Sequence, residues 1–298
     1  MQTQSSSSPI ITGSPMTPRP LRSPATDPFR GEVERGAGGI NLARAALLLA
    51  ADEYPQLPIG SYLSRLDELA EETRDRLGCE TAPLLVFQEL LRTLFERNRF
   101  RGNRRAYYDP RNSLLCDVMD RRRGIPITLA ILLLEVGWRL DLPLEGVNFP
   151  GHFLVRYRGD ALRFLIDPFE GGAIRFEEEA QALLDRAYGG VIRLRPEFLR
   201  TAGAHDILLR LLTNLKGIYL NVDDQRRALM TVDRILTLRP TAASEIRDRG
   251  KILARLGRRD EALAQLEWYL DTVAEGVDRD QISDLIRELR GSEGSPLG

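Results

Sequence analysis

The sequence predicts an α+β domain followed by an all-α helical module. Amphipathic helical patterns fill much of residues 39–96, and a nearly continuous apolar run follows at 125–138. Strand-like runs then follow one another between residues 144 and 167, and the last third returns to helix with a self-similarity at an offset of 34 residues.

At 298 residues the chain is long enough for two domains, and 43% hydrophobic with 29% charged residues is the composition of a soluble globular protein. The 42 basic and 43 acidic side chains nearly cancel, so no overall field draws the protein to nucleic acid or to an anionic membrane. Two cysteines, Cys79 and Cys116, are too few for a disulfide framework and fit free thiols in a reducing compartment. The first thirty residues are rich in Ser, Thr and Pro and lack the basic start and apolar stretch of a secretory signal. They read as part of a disordered tail, residues 1–38, matched by a short flexible tail at 292–298. The run from Ile125 to Trp138 is interrupted by Glu135 and falls short of the ~20 apolar residues of a membrane span, so it reads as a buried helix. A cytoplasmic protein with no membrane partner is the expectation.

The first domain is expected over residues 39–200. Its first helix lies in GGINLARAALLLAADEYP, between a glycine pair and a Tyr-Pro stop. The second spans Ser61 to Leu77, with Leu63, Leu66 and Leu69 on one side, and the third runs from Pro83 to Glu96. FRGNRRAYYDPRNSLLCDVMDRRRG follows, with arginine and tyrosine interleaved as in segments that stack on nucleic acid. Asp109, Asp117 and Asp120 are interspersed with the arginines, and lysine is nearly absent from the whole chain. Arginine is therefore its default cation, and a nucleic-acid partner working through Arg101, Arg104, Arg105, Tyr107 and Tyr108 is the weakest of three functional readings. The buried helix starts at Pro126, where a missing N–H has no partner to lose, and ends near Leu140. Ser113 reads as a helix N-cap.

Three strand-like runs come next: LEGVNF, HFLVRY and LRFLID, separated by PG and RGD. A two-residue turn at Gly159 and Asp160 sets facing residues to numbers summing to 319, which puts His152 opposite Asp167. Such neighbours lie within hydrogen-bonding reach, so the carboxylate would fix one imidazole nitrogen and leave the other as a general base. The bland alternative is a polar pair that satisfies itself at the end of a sheet. A helix beginning near Phe176 closes the region.

The helical module is expected over residues 201–291. RRALMTVDRIL and DEALAQLEWYL align at the 34-residue offset, the period of tetratricopeptide repeats, each a helical hairpin. Two repeats seldom stand alone, so they are expected to dock on the first domain, with a last helix near Asp278 to Arg290 as a cap.

The series from Asn112 to Tyr157, followed by LIDPFEGG, resembles the SirB-like proteins, which join a transglutaminase-like domain to tetratricopeptide repeats. RRGIPI, PGHFL and IDPFEGG are its most specific parts. The resemblance implies a papain-like core in which a helix carrying the nucleophile packs on an antiparallel sheet that supplies His152 and then Asp167. Enzymes of this kind place a cysteine at the helix start, where the helix dipole favours the thiolate. Here Pro126 takes that position. Asn112, Arg123, Gly124, Pro126 and Asn148 are expected on the rim of the pocket.

The preferred reading is therefore a non-catalytic transglutaminase-like protein whose repeats bind a protein or peptide partner in a regulatory or accessory role. The alternative is an active thiol peptidase, amidase or transglutaminase in which Cys116 attacks, His152 takes the proton and Asp167 orients the ring. Cys116 reads more readily as a small buried hydrophobe. Cys79 has no motif around it, and His205 has no acidic partner at a metal-ligand spacing, so neither a metal nor a cofactor is expected.

Overall fold

The computed structural model describes residues 27–291 except 37, 161 and 277. Its chain order is α1 (Pro28–Val33), α2 (Leu42–Ala50), α3 (Ile59–Leu77), α4 (Pro83–Leu91), β1 (Arg101–Gly102), α5 (Leu115–Arg121), β2 (Arg123–Gly124) and α6 (Pro126–Arg139). β3 (Leu144–Val147), β4 (Leu154–Arg158), β5 (Arg163–Asp167), β6 (Ala173–Arg175), α7 (Ala180–Tyr188) and β7 (Thr201–Ala202) follow. The chain then continues through α8 (Ala204–Asn221), α9 (Gln225–Leu238), α10 (Ala243–Arg255), α11 (Arg259–Thr272) and α12 (Arg279–Gly291). An α+β domain and a helical array are thus both present.

α6 is the axis of the first domain. From Pro126 to Gly137 every residue is buried, Glu135 included. That carboxylate has a partner: the Ala43 N–H donates to Glu135 Oε1 at 2.7 Å, and Arg139 pairs with Oε2 at 2.7 Å. The Asn41 side chain caps the same helix start at the Arg44 N–H, and buried Glu32 accepts from the Asn41 N–H. Two carboxylates therefore meet the positive end of α2, which satisfies otherwise orphaned donors and stabilises buried charge.

The larger sheet has the order β6-β5-β4-β3-β7, with antiparallel pairings throughout. Val155, Tyr157, Phe164 and Ile166 belong to the main core that α6 threads, while Val147, Leu154 and Leu165 pack with Ala180 and Leu184 of α7 on the other side. This alternation is the period-two pattern of a sheet covered on both faces.

The pairing register corrects the turn read from sequence. Val155 pairs with Ile166 and Arg158 with Arg163, so facing numbers sum to 321, two more than a two-residue turn requires. A shift of two preserves which face each side chain takes, whereas a shift of one would reverse it.

Three local expectations change. The part of the 1–38 tail from Pro28 to Val33 is helical, with Phe29 and Val33 buried; residues 1–26 and 37 of that tail, and the tail at 292–298, lie outside the described residues. Ser113 does not cap a helix: it closes the short turn Pro110–Asn112, and Leu114 takes the N-cap position of α5. The third helix reaches Arg97, but its last turn, Arg92–Arg97, is π-helical.

The helical array packs on the first domain. Leu208, Leu211, Leu212 and Leu215 of α8 and Ala228, Val232 and Ile235 of α9 share one core with α2 and α6. Ion pairs close the seam: Arg227 reaches Glu53, and Arg234 reaches both Asp52 and Asp27.

Candidate functional site

β4 and β5 bring the two sequence-predicted polar residues together. His152 sits just before β4, in a turn where its N–H donates to the Phe149 carbonyl and Gly151 takes φ +68. Asp167 is the last residue of β5. His152 Nε2 lies 2.8 Å from Asp167 Oδ1, yet the ring N–H is not aligned on that oxygen as a hydrogen bond requires. Asp167 Oδ1 has two further duties, accepting the Phe169 N–H at 3.1 Å and the Glu170 N–H at 3.2 Å and so capping the turn Pro168–Glu170. The carboxylate is 3% exposed and the imidazole 20%, so the histidine is the member a ligand can reach. Nε2 faces the carboxylate, which leaves Nδ1 as the nitrogen available to another group.

Phe169 walls the pair. Its ring meets the His152 ring edge-on at 6.2 Å and the Tyr107 ring at 6.0 Å, and the Arg104 guanidinium lies over it. A Cβ on Gly102 would come within 2.6 Å of this ring, so glycine at 102 is what lets β1 approach. Tyr188 covers the other flank, its hydroxyl 3.0 Å from where a Cβ on Gly151 would stand.

At the start of α6, where the transglutaminase-like resemblance expects a thiol, Pro126 is buried. Thr128 is committed elsewhere: its Oγ1 donates to the Asn112 carbonyl at 2.7 Å and accepts the Ile125 N–H at 3.1 Å. Asn112 is fully buried and does not stand on a rim. Its Nδ2 donates to the carbonyls of Ala106 and Tyr107, and its Oδ1 accepts from Asn103, so it ties the Arg-Tyr segment to the helix start. Gly124 is also interior, because a Cβ there would meet Thr128 Oγ1 at 2.7 Å. Arg123 is half-buried on β2, and exposed Asn148 accepts a hydrogen bond from Arg210 of α8 at 2.8 Å.

Cys116 does not join this group. It is 2% exposed on α5, where its electrostatic neighbours are Asp117 and Asp120 together with Tyr54 and Tyr62. Burial pushes its thiol well above the ordinary range and Asp117 adds to the effect, the reverse of an activated thiolate. Cys79 is exposed, and Ser113 Oγ is buried with no hydrogen-bond partner among the described residues. No group of His, Cys, Asp and Glu among the described residues could hold a metal ion, and no helix among them is long and apolar enough to cross a membrane.

Beside the helix start lies a cleft of about 440 Å³ between Tyr107, Tyr108 and Ile125 on one side and Thr213, Asn214 and Gly217 of α8 on the other. Sequence reasoning missed this α8 face, whose exposed positions Thr213, Gly217 and Asn221 recur every fourth residue. It also missed Phe169, although that residue stands within the IDPFEGG motif.

A papain-like helix on an antiparallel sheet, with a His–Asp pair but a proline at the helix start, defines a transglutaminase-like protein carrying helical repeats. Comparison with known proteins agrees: the Transglutaminase-like superfamily profile matches residues 60–213 and a Tetratricopeptide repeat profile matches residues 215–287. A UPF0162 protein of Xylella fastidiosa is 40% identical over 77% of this chain and 83% of its own length. One from Vibrio cholerae is 31% identical over 78% and 86%, and Protein SirB1 of Salmonella typhimurium is 29% identical over 79% and 85%. The chain belongs to this UPF0162/SirB1 family of transglutaminase-like proteins. No solved structure matches it.

Proposed function

We propose that the protein is a non-catalytic transglutaminase-like adaptor that acts in the cytoplasm and binds a peptide segment of a partner through the cleft between the Tyr107–Tyr108 segment and α8. The observation that carries this reading is Pro126: a ring stands where acyl transfer needs a nucleophile, and it also removes an N–H from the helix start. The buried, poorly ionised Cys116 supports it, as do the committed hydroxyl of Thr128 and the capping duty of Asp167. The cleft offers tyrosine rings for apolar contact and Asn214, Asn221 and Thr213 for hydrogen bonds to an extended backbone. The division at residue 200 between the domain and its repeats is part of the same proposal.

Iodoacetamide labelling of the folded chain at mildly alkaline pH tests the absence of thiol chemistry. Cys79 is expected to react and Cys116 to stay protected until denaturant is added. Rapid reaction at Cys116 that His152→Ala abolishes would overturn the reading.

A further inference from the structure

The parallel pairing of β1 with β2 sets Arg101 beside Arg123 and Gly102 beside Gly124. Side chains alternate along a strand, and matched residues on neighbouring strands share a face. The glycine face is the inner one, since a Cβ at Gly102 would strike the Phe169 ring and one at Gly124 would strike Thr128. The arginine face is therefore the outer one, with Arg101 exposed and Arg123 half-buried. Their backbones lie about 5 Å apart, the ordinary spacing between strands.

Many arginines of the fold meet carboxylates, as Arg65, Arg139, Arg227 and Arg234 do, while others such as Arg163 and Arg226 stand exposed with no ion pair among the described residues; what sets Arg101 and Arg123 apart is that the strand pairing holds them side by side. Among the described residues, Arg101 and Arg123 have no ion pair and no side-chain hydrogen bond. Like charges held in register destabilise a ladder unless a counter-charge joins them. The flanking Arg99 and Arg122 also lack carboxylate partners among the described residues, and both hold left-handed backbone, at φ 57 and 56. Asn or Gly takes that conformation at lower cost, so arginine stands there against a local preference.

We propose that this face binds an acidic peptide segment, with one carboxylate bridging the guanidinium groups of Arg101 and Arg123 and further acidic side chains drawn by Arg99 and Arg122. The planar guanidinium fork matches a carboxylate in paired N–H···O bonds, and two forks side by side accept both of its oxygens. A nucleic acid fits less well. Tyr107 and Tyr108, the exposed aromatic residues of this arginine-rich segment, line the cleft against α8 and so do not offer stacking platforms on the arginine face. The near-cancelling charge of the whole chain gives no long basic track for a polyanion. The proposal concerns a different surface from the α8 cleft and stands or falls apart from it.

Fluorescence anisotropy of a fluorescein-labelled hexaglutamate peptide, titrated with the full chain at low ionic strength, tests it. Saturable binding that weakens with salt is expected, reduced about tenfold or more by Arg101→Gln with Arg123→Gln. The same pair changed to lysine should bind at an intermediate level, because charge survives and the fork does not. Arg226→Gln, which removes an exposed charge on α9, should bind like the parent chain. Relief of the in-register repulsion should leave the glutamine variant with an unchanged or higher melting temperature when no peptide is present. Absence of saturable binding, equal binding by the glutamine variant, or tighter binding of a single-stranded oligonucleotide of equal charge would overturn the proposal.

Discussion

Replacing Arg234 should loosen the whole molecule rather than the repeats alone. Its side chain is 6% exposed; Nε and Nη2 grip the two oxygens of Asp52 at 2.8 and 2.7 Å, while Nη1 meets Asp27. The guanidinium also lies 5.1 Å from the centre of the Phe29 ring. Burial alone would lower its pKa, but Asp52 and Asp27 outweigh that and hold it above the usual value. Arg234→Ala strands two carboxylates, Asp27 at 8% exposure and Asp52 at 21%. Removing one partner of a buried pair costs about 3–5 kcal/mol, and the partial hydration of Asp52 places this case near the lower end, about 3 kcal/mol. Urea unfolding followed by circular dichroism should show one cooperative transition, because α8 and α9 share the main core, with its midpoint moved down accordingly. The triple change Asp27→Asn, Asp52→Asn, Arg234→Met removes every charge together and should recover most of the loss. A single-variant loss below about 1 kcal/mol, or a triple variant no better than the single one, would refute the reasoning.

Two glycines should respond oppositely to alanine. A Cβ at Gly217 meets nothing within 4 Å, so Gly217→Ala should stabilise α8 by about 0.5–1 kcal/mol in the same urea assay, while Gly102→Ala should destabilise by driving into the Phe169 ring. Acid should weaken the Arg-Tyr segment through Asp109. Burial there favours the neutral acid, but hydrogen bonds from Arg111 and the charges of Arg121 and Arg111 prevail, and the carboxyl sits below its ordinary range. Its contribution is therefore present above the unfolded-state pKa and lost as pH falls through the folded one. Asp109→Asn should flatten that part of the stability curve measured below about pH 4, and an unaltered acid limb would contradict the assignment.

Elements with a strong local signal were legible in the sequence. α3, α6 and the helices of the repeats announce themselves by apolar spacing, and the three principal strands by alternation between turn residues. The meeting of His152 with Asp167 was legible despite a misplaced turn, since the error was an even number of residues and spared the facing. What escaped depends on distant partners. α1 has only six residues in a proline-rich stretch, and it is held by Arg234, some two hundred positions later. β1 and β2 are two residues each and exist because a left-handed turn at Arg122 and the backbone bonds from Arg101 to Arg122 and from Asn103 to Gly124 place them side by side. Asn112 is expected on the rim from the sequence; burial and hydrogen bonds with Asn103, Ala106, Tyr107 and Thr128 make it a brace instead. The α8 cleft is composed of residues about one hundred positions apart, beyond any periodicity.

The chain's cation usage dictates which chemical footprinting will be informative. Lys216 and Lys251 are its only lysines, and both already contact carboxylates, Glu245 and Asp248 for the first and Asp278 for the second. Amine-directed esters would therefore leave most of the surface unmapped. Dicarbonyl reagents, which condense with guanidinium groups, would reach nearly every patch and should modify the uncompensated pair at 101 and 123 ahead of arginines clasped by acids.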